Sequence, residues 1–188
     1  VMMFSQVTWD KVADGINNYR EMFRKHNGED APPVSTADFV ACMPDAAKAE
    51  SIAREKIVGY FFSVMEHYEM LGDHFSNTGK SYAHYAEAAK MMKEAGNEAI
   101  LEDFLAANLW GTPEMIIKKL EARREQIGEF EVNGCFSYQS QPFDQVEQNM
   151  RLLLKLLIII IGLGFLFSTA AGFIQDHMLA KASVTVMG

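Results

Sequence analysis

The stretch from Leu109 to Tyr138, LWGTPEMIIKKLEARREQIGEFEVNGCFSY, constrains the fold more than any other. It reads as one helix, one tight turn and one strand. Thr112 suits an N-cap, and Pro113 suits the first helical position, where its missing N–H leaves no bond unmade. Glu114 adds negative charge at the positive end of the helix dipole. Ile116, Ile117, Leu120 and Ile127 recur at helical spacing, and Gly128 supplies a C-terminal cap. Beyond it, Phe130, Val132, Gly134, Phe136 and Tyr138 alternate with Glu131, Asn133, Cys135 and Ser137, the period of a strand. A capped helix leading directly into a strand is half of a βαβ unit, so a parallel sheet is expected.

The rest of the chain adds strands sparingly and helices freely. Met2 to Ser5 is a short apolar run that fits the end of a strand. From Thr8, the positions Trp9, Val12, Ile16, Tyr19 and Phe23 step by three and four, an amphipathic helix closing at Asn27-Gly28. Val34 to Cys42 reads as a strand, broken by Pro44. A helix follows from about Asp45, with Ala49, Ile52, Ala53, Ile57, Tyr60, Phe61 and Val64 on one stripe and Gly59 as a point of kinking. His67 to Gly79 is irregular, and two more helices are expected over Tyr82–Ala95 and Asn97–Ala107.

A hydrophobic fraction of 49% with 22% charged residues is globular, which excludes a disordered chain. The net charge of −8 argues against nucleic acid as a partner, since phosphate contacts need a basic face. Two cysteines, Cys42 and Cys135, make neither a disulfide framework nor a metal array, and reduced thiols in the cytoplasm are the simplest reading.

The order of certain motifs carries a resemblance. G-T-P-E opens a helix, the next strand ends in F-S-Y, and a P-F-D-Q-x-E-x-x-M-R-L helix follows. Upstream stand Ser5-Gln6, Trp9-Asp10, Tyr19-Arg20, Asn27-Gly28, Pro32-Pro33, Phe39-Val40 and the run His67-Tyr68-Glu69-Met70. Over residues 4–154 this resembles the C-terminal end of the bacterial luciferase-like flavin-dependent monooxygenases. The resemblance implies an α/β fold, the C-terminal portion of a (β/α)8 TIM barrel, here helix-rich. It implies reduced FMN from a separate reductase, acting with O2 on an apolar or carbonyl-bearing small molecule; a deazaflavin remains open as the cofactor. A barrel of this kind needs more chain than 188 residues, so the chain is read as part of a longer protein or a truncated relative. Its partner would be the missing N-terminal barrel half or another copy of itself.

In such a barrel the chemistry lies at the C-terminal ends of the strands. Those ends put forward Ser137 and Tyr138 as cofactor-binding residues, and Cys42 and Phe136 as substrate-pocket residues. Core packing is the competing reading for Phe136, because buried aromatics are the rule. The resemblance implies that the family's principal flavin and catalytic residues lie in the first six strands, which have no counterpart here. No catalytic residue is therefore assignable, and the chain by itself is expected to lack the main flavin site and to be inactive. Where the family commonly has Gly-Gly-Met-Pro, this chain has Gln139-Ser140-Gln141-Pro142, which removes the freedom of the glycines. His67, His74 and His84 stand near Glu66, Glu69 and Asp73 but lack a metal-ligand spacing, so no metal is expected.

After M-R-L the pattern departs from the family. Leu156 to Ile174 holds nineteen residues without a charge, enough to cross a bilayer core of roughly 30 Å as a helix. The chain thus divides into a partial barrel domain over 1–154, a hydrophobic helix over 155–175 and a tail over 176–188. The alternative function is a non-catalytic interaction protein, or one anchored in a membrane by its C-terminal segment.

Overall fold

The computed structural model describes residues 1–68 and 97–155. Four strands occur there: β1 (Met2–Phe4), β2 (Val34–Cys42), β3 (Leu109–Gly111) and β4 (Phe130–Cys135). Every pairing is parallel and every pairing involves β2. β1 runs beside it from Met2↔Ser35 to Phe4↔Ala37. β4 runs from Val34↔Phe130 to Phe39↔Cys135, and β3 takes Val40↔Leu109 to Cys42↔Gly111. Since β1 and β4 share partners at 35–37, they occupy opposite edges.

Two of the helices join successive strands, as the capped helix and strand of the sequence require. α1 (Trp9–Asn27) links β1 to β2 and ends at Gly28, whose left-handed φ of 75° closes the helix. α5 (Pro113–Ile127) links β3 to β4. Its Thr112 hydroxyl accepts from the Met115 N–H at 3.4 Å, with Pro113 in the first turn. The Gly128 N–H donates to the Arg124 carbonyl at 2.9 Å. A further helix, α6, covers 143–155.

Between β2 and β3 the chain makes an excursion. α2 (Ala46–Ile52) is capped by the Asp45 carboxylate, which accepts from the Lys48 N–H. It continues through a π-helical turn, Ala53–Ile57, into α3 (Val58–His67). The irregularity therefore precedes Gly59 rather than centring on it. The return leg is α4 (Asn97–Ala107).

The two faces of β2 are packed differently. Val40 and Cys42 point into an apolar cluster with Leu109, Ile116, Val132, Phe136, Val146 and Leu153, beneath α5 and α6. Val34 joins Trp9, Ile16 and Ile127 beneath α1. On the other face, Phe39, Ala41 and Met43 pack against Ala49, Ile52, Ala53, Ile57, Phe61, Phe104 and Leu105 of the excursion.

One ion pair is buried in the first of these faces. Arg123 of α5 grips Asp38 of β2 with two bonds, at 2.6 and 2.8 Å, and both side chains are at most 3% exposed. The guanidinium lies 4.3 Å from the Trp9 ring and also donates to the Ala107 carbonyl at 3.0 Å. That carbonyl ends α4, where the helix dipole is negative. Its neighbours are satisfied in the same way. The Trp9 indole donates to Ala107, the Trp110 indole to Leu105 and the Lys119 ammonium to Asn108, at 2.9, 2.8 and 3.2 Å. The excursion's return is pinned by cations and indoles.

Two differences from the sequence reading stand out. Regular strand pairing stops at Cys135, not Tyr138: Phe136 keeps the face of Val132, whereas Tyr138 packs on the opposite face. The short β3 carried no period of its own and was not expected. Among the described residues no helix is long and apolar enough to cross a membrane. The Leu156–Ile174 segment, the tail, the Tyr82–Ala95 helix and residues His74 and His84 lie outside the described residues.

Candidate functional site

The C-terminal ends of β2 and β4 meet beneath the excursion, and an aromatic group marks the place. The Phe39 ring lies 4.5 Å from Tyr60, 4.8 Å from Tyr138 and 5.5 Å from Phe4, in tilted or edge-on contacts. Such geometries match ring edges to ring faces and add to the burial of apolar area. Tyr138 is buried and its hydroxyl donates to the Val40 carbonyl at 3.1 Å. Burial drives its phenol pKa well above the ordinary value, while the Gln141 amide works in the opposite direction. It serves as a neutral donor here and not as a base.

The four residues put forward from the sequence divide into two pairs. Both Ser137 and Tyr138 follow the end of β4; Ser137 is exposed, and Tyr138 lies beside Phe39 on the excursion side. Cys42 and Phe136 sit on the opposite face, packed between the sheet and helices α5 and α6. Cys42 has no exposed surface, and burial, assisted by the Glu114 charge, pushes its thiol up to about 11. A thiol so held is inert at neutral pH. Phe136 needs the room left by Gly134, where a Cβ would meet the Phe136 ring at 2.9 Å and Val40 at 3.1 Å. Cys135 is half-buried on the excursion side, its thiol also raised by burial.

The loop after β4 holds an unusual backbone. Gln139 and Ser140 both have positive φ, 50° and 52°, in successive positions. This is the left-handed region that glycine occupies freely and other residues enter at a cost of about 1–2 kcal/mol each. The chain therefore has the left-handed shape that glycines would favour without having the glycines. The Gln139 side chain also lies over Gly59 of α3, 3.7 Å from where a Cβ would stand.

Sequence reasoning missed the polar groups that fix the end of β2. Asn108 accepts from the Phe39 N–H at 2.8 Å. Asn149 of α6 accepts from the Cys42 N–H at 2.7 Å and donates to the Val40 carbonyl at 2.5 Å. Both asparagines are at most 2% exposed. The signal for Asn149 was available: it lies three residues after Val146 and four before Leu153, a polar side chain within an apolar helical stripe. Among the described residues no group of three histidine, cysteine or acidic side chains could hold a metal ion.

A family model described as luciferase-like monooxygenase matches residues 1–129. Among solved structures, the monooxygenase RslO1 from Streptomyces bottropensis is similar in fold, with a TM-score of 0.51 and 16% sequence identity. The likeness covers 84% of this chain and 40% of that one, so this chain spans about two-fifths of the length of that structure. No match was found among curated proteins.

Proposed function

We propose, from the premise that this chain belongs to the luciferase-like monooxygenase family, that it forms part of the wall of a (β/α)8 barrel. The barrel would use reduced FMN, or a deazaflavin, with O2 to oxidise an apolar or carbonyl-bearing small molecule. The observation that carries this reading is the arrangement of the sheet. Helices α1, α5 and α6 cover one face, and the C-terminal strand ends converge under a helical excursion on the other. That is the side on which barrel enzymes place their chemistry.

The residues present suit a flavin as one side of a site. Phe4, exposed at the C-terminal end of β1, supplies flat apolar surface beside Phe39. Ser137 would offer its hydroxyl at the strand end, while Tyr138 would hold the loop through Val40. A reduced flavin, when bound, would supply the oxygen chemistry; this chain would orient it and exclude water.

β1 and β4 lie on opposite edges of β2, and among the described residues each pairs with β2 alone. Open parallel edges invite further strands. The reading therefore includes a partner that continues the sheet, from the rest of a barrel or from a second copy. A second reading, an interaction protein without catalysis, draws on the exposure of Met2 at 58% and Phe4 at 44%.

The test is to titrate FMN, oxidised and reduced, into the protein and follow flavin fluorescence. Saturable binding by a folded chain is the expected result. A folded chain that leaves flavin fluorescence unchanged would turn the assignment toward the second reading.

A further inference from the structure

β4 leaves β2 after the pair Phe39↔Cys135, yet β2 runs on to Cys42. Two backbone groups beyond that point, the Val40 carbonyl and the Cys42 N–H, belong to residues with no exposed surface. Water cannot satisfy them there, and leaving them unpaired is costly. A carboxamide carries one acceptor and a donor side by side, as a peptide group does. Asn149 uses both, Oδ1 accepting from Cys42 and Nδ2 donating to Val40, and so replaces the missing stretch of β4.

The Val40 carbonyl has a second donor, the Tyr138 hydroxyl. One oxygen thus joins three parts of the molecule: α6, the end of β2 and the loop that leaves β4. On packing grounds alone a leucine would suit position 149, between Val146 and Leu153. The amide is accounted for by the two groups it satisfies.

We propose that Asn149 is a positioning residue for the site at the strand ends. It sets the height of the β2 end against the 137–141 loop, and so governs flavin affinity without touching the flavin. This rests on the flavin reading above.

The test compares Asn149→Leu, Asn149→Asp and Val146→Ala. The last removes packing from the same helix without disturbing the clamp. Hydrogen exchange at the Cys42 amide and FMN affinity are read for each. The unaltered chain should bind FMN and protect Cys42. Asn149→Leu should lose that protection and bind FMN about tenfold more weakly. Asn149→Asp keeps the acceptor, so it should keep the protection and recover part of the affinity. Val146→Ala should lower stability and leave FMN affinity unchanged. Equal loss of affinity in Val146→Ala and Asn149→Leu would reduce Asn149 to a stabilising residue, and so would unchanged affinity in a folded Asn149→Leu. If the unaltered chain protects Cys42 but binds no FMN, the flavin reading fails and the positioning role fails with it; the clamp itself would then stand as a structural feature only.

Discussion

The two halves of β2 are one strand with two different surroundings. From Phe39 to Cys42 every residue is buried, and both faces are packed by helices. From Val34 to Ala37 burial alternates, because Ser35 and Ala37 face a side that the described residues leave partly open. The adjoining β1 shares this character, with Met2 and Phe4 exposed beside them. A parallel strand covered on both faces reads as continuous apolar sequence, and F-V-A-C does; in V-S-T-A the burial alternates although the sequence does not, since the buried Thr36 is polar and the half-open Ala37 apolar. The contrast teaches that the described residues complete their core at the C-terminal end of the sheet and leave the other end partly open.

Breaking the covered part should be expensive wherever it is done. Removing one partner of the buried pair, by Asp38→Ala or Arg123→Met, should cost about 3–5 kcal/mol, because the other charge is stranded. Replacing both together, with Asp38→Leu and Arg123→Met, should recover most of that loss. Equal denaturation midpoints for the single and double variants would contradict this account of the pair.

A matched pair of insertions addresses the contrast directly. Ala41→Leu should destabilise by about 1–3 kcal/mol through overpacking, since Ala41 has no exposed surface. Ala37→Leu, four residues earlier on the same face, should change stability by about 0.5 kcal/mol or less. If chemical denaturation finds the two equally damaging, the open half is closed in solution.

Lys119 sharpens the comparison through pH. Burial, then the neighbouring Arg123 charge, draws its amine down to about 8, with Asp38 acting against them. In the unfolded chain the amine holds its proton to an ordinary 10.5. Between those values the unfolded state binds more protons, so stability should rise as pH climbs from 8 toward 10.5. Below 8 both states are charged and the cost of burying the charge is felt in full. Lys119→Met should abolish that rise and stabilise the protein at pH 7 by about 1–2 kcal/mol. A pH profile of the melting midpoint identical in the two proteins would show that the Trp110 face, 4.1 Å from the amine, holds the charge at no cost.

The smallest effect concerns the loop after β4. Gln139→Gly and Ser140→Gly each relieve a left-handed residue and should stabilise by about 1 kcal/mol, less the entropy that glycine adds to the unfolded chain. Loss of stability in Gln139→Gly alone would mean that the Gln139 contact over Gly59 outweighs the strain, and loss in both would contradict the strain account.

The fold was legible where periodicity and capping agreed. Helix α1, strand β2 with both its ends, and helix α5 with Thr112 and Gly128 at its termini follow from local patterns that packing later confirms. The membership in the luciferase-like family was legible too, from motifs strung in order. The side on which a residue lies was less so. Alternation from Phe130 to Tyr138 would put Phe136 and Tyr138 on one face, but the strand ends at Cys135 and the two rings go opposite ways. Asn108, Asp38 and Arg123 were invisible for a different reason, and Asn149 announced itself only as a polar residue in an apolar stripe. The bonds that fix them reach 69 positions from Asn108 to Phe39, 85 from Arg123 to Asp38 and 109 from Asn149 to Val40, and nothing in a local window announces a distant partner.

The indoles that cap α4 have a practical corollary. The chain holds two tryptophans, and both donate to carbonyls of the same helix end. One lies against a guanidinium and the other under an ammonium. The ultraviolet emission of the protein is therefore a gauge planted at a single junction, where the excursion rejoins the sheet. It will register loosening there, and movement of β1 as well, because Met3 packs against the cluster that holds Trp9; an unchanged emission spectrum on adding a partner would locate the contact away from both.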